Sequence, residues 1–298
     1  MEQAQTSTKP WRILDVLQWG AGYLTRHGIS QPRLSIELLL SKVLQTKRLD
    51  LYLQFDKLLS SEDLARLKSL LEKRREHTPV QYLLGEWDFF GLPFWISEHV
   101  LIPRPETEIV VESLLNRLQK DDKKGVTYGL DLGTGSGNIA VAMTKQLAEC
   151  RCVAVDISLD ALAQARLNAQ RHGVSDRIEF RHGSWFEPLR QSPAGTLDWI
   201  VSNPPYVAKE HWDSLPPEVR LYEPRTALWA GENGLDFYRV IVAGSPAHLK
   251  PGGWLALEIG DGQARDVQSL VEAQDGLSFV EIVKDHAGTD RVILAQRM

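Results

Sequence analysis

From Tyr128 to the C-terminus the chain alternates strand-like and helical segments, and no other feature constrains the fold as tightly. Runs suited to β-strands occupy residues 128–132, 152–156, 177–182, 197–202, 253–259, 277–283 and 290–296, with helical patterns between most of them. Parallel strands need a crossover, which a helix supplies, so this alternation predicts an α/β domain with a largely parallel sheet. The last two runs are joined by Lys284–Thr289 without a helix, which predicts an antiparallel hairpin at the end of the sheet.

The first 80 residues have a different texture. Apolar residues recur at helical spacing in Ile13, Leu14, Leu17 and Ala21, in Leu34, Leu38, Leu39 and Val43 after a Ser30–Pro32 start signal, and in Leu64, Leu67, Leu70 and Leu71 after Ser61. Residues 1–80 therefore read as a small helical bundle. Residues 81–105 are rich in aromatics, and a Gly91-Leu92-Pro93 break between two short β-like runs predicts a hairpin linker. An amphipathic helix follows, through Leu118, and the remaining domain spans 106–298. At 298 residues, two domains large enough to bury their own cores are expected.

A glycine-rich turn ends the first strand of the α/β region. Asp131-Leu132-Gly133-Thr134-Gly135-Ser136-Gly137-Asn138 leads into a helical run from Ile139 to Leu147. Glycines at 133, 135 and 137 let the backbone turn tightly and approach a ligand closely. The dinucleotide fingerprint needs a glycine where the chain has Asn138, and the Gly-Lys-Ser/Thr of a phosphate-binding loop is absent. The second strand ends in Asp156, 25 residues after Asp131, where an acid can accept both ribose hydroxyls of an adenosine ligand. Acid, glycine loop, helix, strand and terminal acid in that order predict a nucleoside-cofactor site. The Asp-x-Gly-x-Gly-x-Gly form resembles the S-adenosylmethionine methyltransferases rather than the dehydrogenases.

Asn203-Pro204-Pro205-Tyr206 follows the fourth strand, at the sheet edge where open α/β folds bind ligands. Two prolines stiffen this turn. Its chemistry suits methylation of a planar nitrogen, whose lone pair is delocalised and poorly nucleophilic. The Asn203 side-chain oxygen and the Pro204 carbonyl are two acceptors able to hold both N–H groups, while the Tyr206 ring stacks on the planar group. Catalysis of that kind is positioning and electrostatics. The motif alone fits adenine and cytosine amino-methyltransferases of nucleic acids as well as glutamine methyltransferases of proteins.

Nearly the whole chain resembles the release factor glutamine methyltransferase family (PrmC, also called HemK). The resemblance is carried by Pro79-Val80-Gln81-Tyr82-Leu83-Leu84-Gly85, Leu101-Ile102-Pro103-Arg104-Pro105-Glu106-Thr107-Glu108, Asp131–Gly137, Asn203–Tyr206, Glu223-Pro224-Arg225-Thr226-Ala227-Leu228, and Glu258-Ile259-Gly260 with Gln263. It implies a helical N-terminal domain that recognises release factors, a β-hairpin linker and a Rossmann-like seven-stranded methyltransferase domain. The implied reaction is N5-methylation of the glutamine in the Gly-Gly-Gln loop of class-1 peptide chain release factors, with S-adenosyl-L-methionine as cofactor. The resemblance assigns Asp131, Gly133, Thr134, Gly135, Ser136, Gly137, Asp156, Trp185 and Asn203 to the cofactor. It gives Asn203, Pro204, Pro205 and Tyr206 to the substrate, with the Asn203–Tyr206 turn catalytic; Arg104 is a further candidate for substrate binding. Residues 1–10 and the Asp121–Lys124 charge cluster match nothing in that family.

Several features have plainer readings. Arg104, Glu106 and Glu108 suit either a roof over the substrate or the capping of the following helix, where an acid in the first turn is favourable anyway. Glu258 either serves the site or supports loops. Trp11 and Trp19 read as bundle packing, and Lys73-Arg74-Arg75 as a solvated helix face that could also meet a partner. The eight histidines show no metal-ligand spacing, so no metal is expected. Cys150 and Cys152, the only cysteines, read as packing residues at a strand start, which fits a reducing cytoplasm. No stretch approaches the roughly 18 apolar residues of a membrane span.

The net charge of −5 is unevenly spread. Residues 1–80 carry 13 Lys+Arg against 9 Asp+Glu, and the remainder 21 against 30. An acidic catalytic region argues against a nucleic-acid substrate. The alternatives kept open are an amino-methyltransferase of DNA or RNA bases and a glutamine methyltransferase of a ribosomal protein.

Overall fold

The computed structural model describes residues 10–120, 125–190 and 194–298. Residues 1–9 and the Asp121–Lys124 cluster lie outside the described residues. Two compact units divide the chain, Met1–Gly85 and Glu86–Met298.

The first unit is helical: α1 (Ile13–Arg26), α2 (Pro32–Leu44), α3 (Arg48–Leu53), α4 (Ser61–Arg75) and α5 (Val80–Leu84). It extends to Gly85 because Val80–Leu84 forms one more helical turn, closed by Gly85 at φ 80°. The Ser60 hydroxyl caps α4 by accepting the Asp63 amide at 3.0 Å. Buried faces are rotated slightly from the expected ones. In α1 they are Ile13, Val16, Leu17, Gly20 and Leu24, with Leu14 and Ala21 flanking. Gly20 is a close-approach position, since a Cβ there would meet the Ile36 side chain at 2.6 Å. Leu34, Leu38, Leu64 and Leu70 are likewise only partly buried.

The Lys73–Arg75 run is not a uniform solvated face. Arg74 is buried and donates to the Thr78 carbonyl at 3.0 Å and the Ser35 hydroxyl at 3.4 Å, while Arg75 pairs with Glu76 on the surface. Trp19 is 46% exposed and stacks on Tyr23, so it covers the bundle rather than filling it.

The second unit opens with a hairpin, β1 (Glu86–Phe89) and β2 (Leu92–Trp95). Its turn is Phe90-Gly91, both at positive φ, and Leu92 and Pro93 belong to the second strand rather than to the break. Then come α6 (Pro105–Lys120), β3 (Thr127–Leu132), α7 (Asn138–Gln146), β4 (Cys150–Asp156), α8 (Leu159–Arg171), β5 (Ile178–His182), β6 (Leu197–Ser202), α9 (Pro217–Tyr222) and α10 (Asp236–His248). The unit ends with β7 (Leu249–Glu258), α11 (Ala264–Glu272), β8 (Leu277–Lys284) and β9 (Asp290–Arg297).

Seven strands form one sheet in the order β5-β4-β3-β6-β7-β9-β8. The first five are parallel, and β9 runs antiparallel between β7 and β8. Every residue of β6 is buried, as a strand covered on both faces requires. Gly129 on β3 sits opposite Trp199 on β6, and a Cβ at Gly129 would lie 1.9 Å from the indole. That glycine makes room for the largest fully buried side chain of the core.

The chain runs outward from β3 through β4 to β5, then returns to β6 and β7 on the other side. The strand order therefore reverses between β3 and β6, which puts the ligand crevice at their C-terminal ends.

Candidate active site

Register brings the motifs together. Leu132 pairs with Val155 on one side and Ser202 on the other, so the glycine loop lies between Asp156 and Asn203. Ser202 in turn pairs with Leu257, which brings Glu258 beside Asn203. Gly133, Gly135 and Gly137 have φ of 73°, 54° and 79°, a conformation that L side chains rarely adopt. Gly137 also permits contact with α8, since its Cβ would stand 3.0 Å from that of Ala165.

Two acids shape this loop. Asp156 accepts the Gly135 amide at 2.8 Å with Oδ2 and the Ser158 amide at 2.9 Å with Oδ1. Asp131 is fully buried and accepts the Thr134 hydroxyl at 2.7 Å and the Ala140 amide at 3.1 Å through Oδ2. Burial pushes Asp131 up to about 7 and raises Asp156 as well. Asn168, also fully buried, donates to the Ser136 carbonyl and exchanges hydrogen bonds with the Trp95 backbone, tying β2 to the loop.

The Asn203–Tyr206 turn is held from behind. Asn203 Nδ2 donates to the Thr107 hydroxyl at 3.0 Å, and Thr107 donates to Glu258 Oε2 at 2.6 Å. Thr107 and Glu258 are each 2% exposed, and burial pushes Glu258 up to about 7. Gln263 clasps the far end of the turn. Its Nε2 donates to the Tyr206 carbonyl at 3.1 Å, and its Oε1 accepts the Gly260 amide at 3.0 Å. The Tyr206 ring packs over Gly260, where a Cβ would lie 2.9 Å from it, and burial holds the phenol well above its ordinary range.

A cavity of about 400 Å³ opens at this edge. Gly133, Gly135, Asp156, Trp185, Asn203 and Pro205 line it, together with Arg225 from the 223–228 motif and with Trp229 and Phe237, which sequence reasoning did not single out. Asp131, Thr134, Ser136 and Gly137 shape the loop without lining the cavity, and Pro204 and Tyr206 do not line it. Arg104 is not at the wall either. Its guanidinium pairs with Glu223, which also accepts the Ile102 amide at 3.1 Å. Of the other two acids, Glu108 accepts the Phe90 amide at 2.7 Å and fastens the hairpin turn to α6. Thr107 and Gln263, inside the family-like motifs, were visible as sequence but not as partners of Asn203 and Tyr206.

The lining suits an adenosine-bearing ligand. Trp185 and Phe237 meet at 4.9 Å and give an aromatic wall, and Asp156 supplies a carboxylate acceptor for a diol. A Cβ on Gly135, which lines the cavity, would meet nothing within 4 Å. Trp185 adopts φ 49°, unusual outside glycine, at the point where its ring meets the cavity. Among the described residues no group of three or more His, Cys, Asp or Glu is placed to hold a metal ion, and no helix is long and apolar enough to cross a membrane.

A doubly wound sheet with this loop and terminal acid at its switch point, and Asn-Pro-Pro-Tyr on the adjacent strand, defines an S-adenosylmethionine-dependent methyltransferase of the Rossmann-like class. Comparison with known proteins narrows this. Residues 15–85 match the PrmC N-terminal domain and residues 106–215 the methyltransferase small domain. The release factor glutamine methyltransferase of Geobacter sulfurreducens is 44% identical over 283 residues, covering 95% of this chain and 96% of that protein. Those of Chlorobaculum tepidum and Rhodopirellula baltica are 39% and 36% identical, covering 95% and 99% of this chain and 96% and 99% of the relatives. The hMettl16 catalytic domain, solved in complex with an RNA hairpin, shares the fold at 18% identity, with a TM-score of 0.51 over 81% of this chain and 84% of that one. The chain belongs to the release factor glutamine methyltransferase family.

Proposed function

We propose that this protein methylates the side-chain amide nitrogen of the glutamine in the Gly-Gly-Gln loop of class-1 peptide chain release factors. The observation that carries the reading is the Asn203 carboxamide at the cavity wall, its nitrogen drawn back to Thr107 and its oxygen left as an acceptor. Full-length similarity to proteins named for that reaction supports the substrate class.

S-adenosylmethionine, when bound, supplies an electrophilic methyl group. The glycine loop would take its methionine end, Asp156 its ribose hydroxyls, and Trp185 would lie beside its adenine. Asn203 Oδ1 and the Pro204 carbonyl would accept the two N–H groups of the glutamine amide. That grip turns the nitrogen lone pair toward the methyl donor and stabilises the N–H groups as they become acidic on transfer. No general base has to act before transfer. Fixed dipoles in a water-poor crevice are strong contributors to such a step. We assign residues 1–80, the basic part of the chain, to recognition of the release factor.

Incubation with methyl-labelled S-adenosylmethionine and, in turn, a class-1 release factor, ribosomal proteins and nucleic acid tests this. Label on the release factor glutamine is expected. Label on nucleic acid or on a ribosomal protein alone overturns the assignment.

A further inference from the structure

We propose that Thr107 and Glu258 form a positioning relay that fixes which end of the Asn203 carboxamide faces the acceptor nitrogen. The inference rests on the reading of Asn203 as the amide-holding residue.

An asparagine side chain is nearly symmetric in shape, and a half-turn about its last bond exchanges an acceptor for a donor. Only the acceptor end can hold an N–H of the substrate. The donor end would repel it, and nothing in the shape of Asn203 itself makes the choice. The buried chain behind it does. A threonine hydroxyl has one hydrogen to give. Glu258, when ionised, can only accept, so the hydroxyl at 2.6 Å must point at it. Thr107 then has only lone pairs for Asn203, 3.0 Å away, and accepts from Nδ2. Oδ1 is the end left for the substrate. A carboxylate two side chains away thus sets the polarity of the site.

Protonated Glu258 can reverse the chain. It donates to Thr107, whose hydrogen then turns to Asn203, and the carboxamide is free to present its donor end to the cavity. Glu258 is fully buried, with burial holding it at about 7. The groups facing it come from several elements. Arg104 precedes α6 and Glu106 starts it, Arg291 lies on β9, and Tyr206 lies in the turn after β6. Tyr238 on α10 donates to the Glu258 backbone carbonyl at 3.0 Å. Arg104 and Arg291 favour the ionised form, and Glu106 opposes it.

The test uses the full chain. Thr107→Val keeps the shape and removes the hydroxyl, Thr107→Ser restores it, and Glu258→Gln removes the charge. Expected is a kcat at least tenfold lower in Thr107→Val with S-adenosylmethionine affinity within twofold of wild type, and recovery to within threefold in Thr107→Ser. Wild-type kcat falls on the acid side with a midpoint near 7, and that limb disappears in Glu258→Gln. An unaltered kcat in Thr107→Val, a Thr107→Ser enzyme as impaired as Thr107→Val, or an acid limb that persists in Glu258→Gln overturns the relay.

A second readout needs no substrate. In protein carrying 15N-asparagine, the Asn203 side-chain resonance, assigned by its loss in Asn203→Ala, titrates near 7 in wild type and not in Thr107→Val. A flat wild-type titration overturns the relay, whereas failure of the wild-type enzyme to label release factor overturns only the substrate reading.

Discussion

Asp156 Oδ2 accepts the Gly135 amide at 2.8 Å, so the acid that ends β4 holds the middle of the glycine loop that follows β3. Its other oxygen holds Ser158 at the entrance to α8. The acid expected to serve the ribose therefore also shapes the loop. Asp156→Asn retains one acceptor atom where two N–H groups need two. Charge-assisted hydrogen bonds contribute about 1.5–3 kcal/mol each, so cofactor affinity should fall roughly tenfold or more. Isothermal titration with S-adenosylmethionine checks this, and an unaltered dissociation constant removes Asp156 from the binding site.

Asn203→Ala should separate chemistry from cofactor binding. Removing one preorganised polar contact to the reacting group costs on the order of a hundredfold or more in kcat. The cofactor contacts are assigned mainly to the glycine loop, Asp156 and Trp185, so its dissociation constant should stay within about threefold, by the same division between ground-state and transition-state contacts. Single-turnover methylation beside equilibrium binding measures both. Loss of cofactor binding as the main effect would contradict the orienting role.

Arg104 and Glu223 should behave as a coupled pair. Glu223 is buried and raised by burial, with Arg104 pulling it back toward ionisation. Arg104→Ala strands that carboxylate, whereas Glu223→Ala leaves a guanidinium that reaches solvent. The first should therefore destabilise more than the second. The double variant should be more stable than the sum predicts, with a coupling of about 1–2 kcal/mol. Urea unfolding of the four proteins measures the coupling. Additivity would mean that the pair is not formed in solution.

Glu258 should set a pH dependence of stability. Its folded-state value lies at about 7, above the ordinary 4.5. A raised carboxyl contributes stability that is fully present below the unfolded value and lost as pH rises through the folded one. Wild type should therefore lose stability between about pH 4.5 and 7, while Glu258→Gln escapes that loss. The melting temperature of Glu258→Gln minus that of wild type should grow by several degrees between pH 5 and 8, taking about 2–4 °C per kcal/mol for a unit of this size. A constant difference would show that Glu258 does not titrate in this range. Asp131 has the same sign and range, so wild type alone cannot isolate the effect. If the relay operates, the enzyme works with the less stable, ionised form.

The sequence alone determined the class of fold, because strand–helix alternation and the order of acid, glycines and acid are local properties of the chain. It also placed Asn203–Tyr206 at the ligand edge, since the motif directly follows a strand. The terminal β-hairpin was legible from its short connection, but the insertion of β9 between β7 and β8 was not. Which strand enters a sheet edge depends on non-local pairing. Arg74 reads as solvated from its own helix because its burial involves Ser35, 39 residues away on α2, although its other partner, the Thr78 carbonyl, lies just past the end of α4. Arg104 reads equally as a substrate contact or a helix-capping residue, and its pairing with Glu223, far along the chain, was not legible. Thr107 and Glu258 lie 151 residues apart and meet only because α6 crosses the end of β7. The chain carries the chemistry of the site in short motifs. Tertiary structure alone decided which buried donor meets which buried acceptor, and so how Asn203 presents its carboxamide.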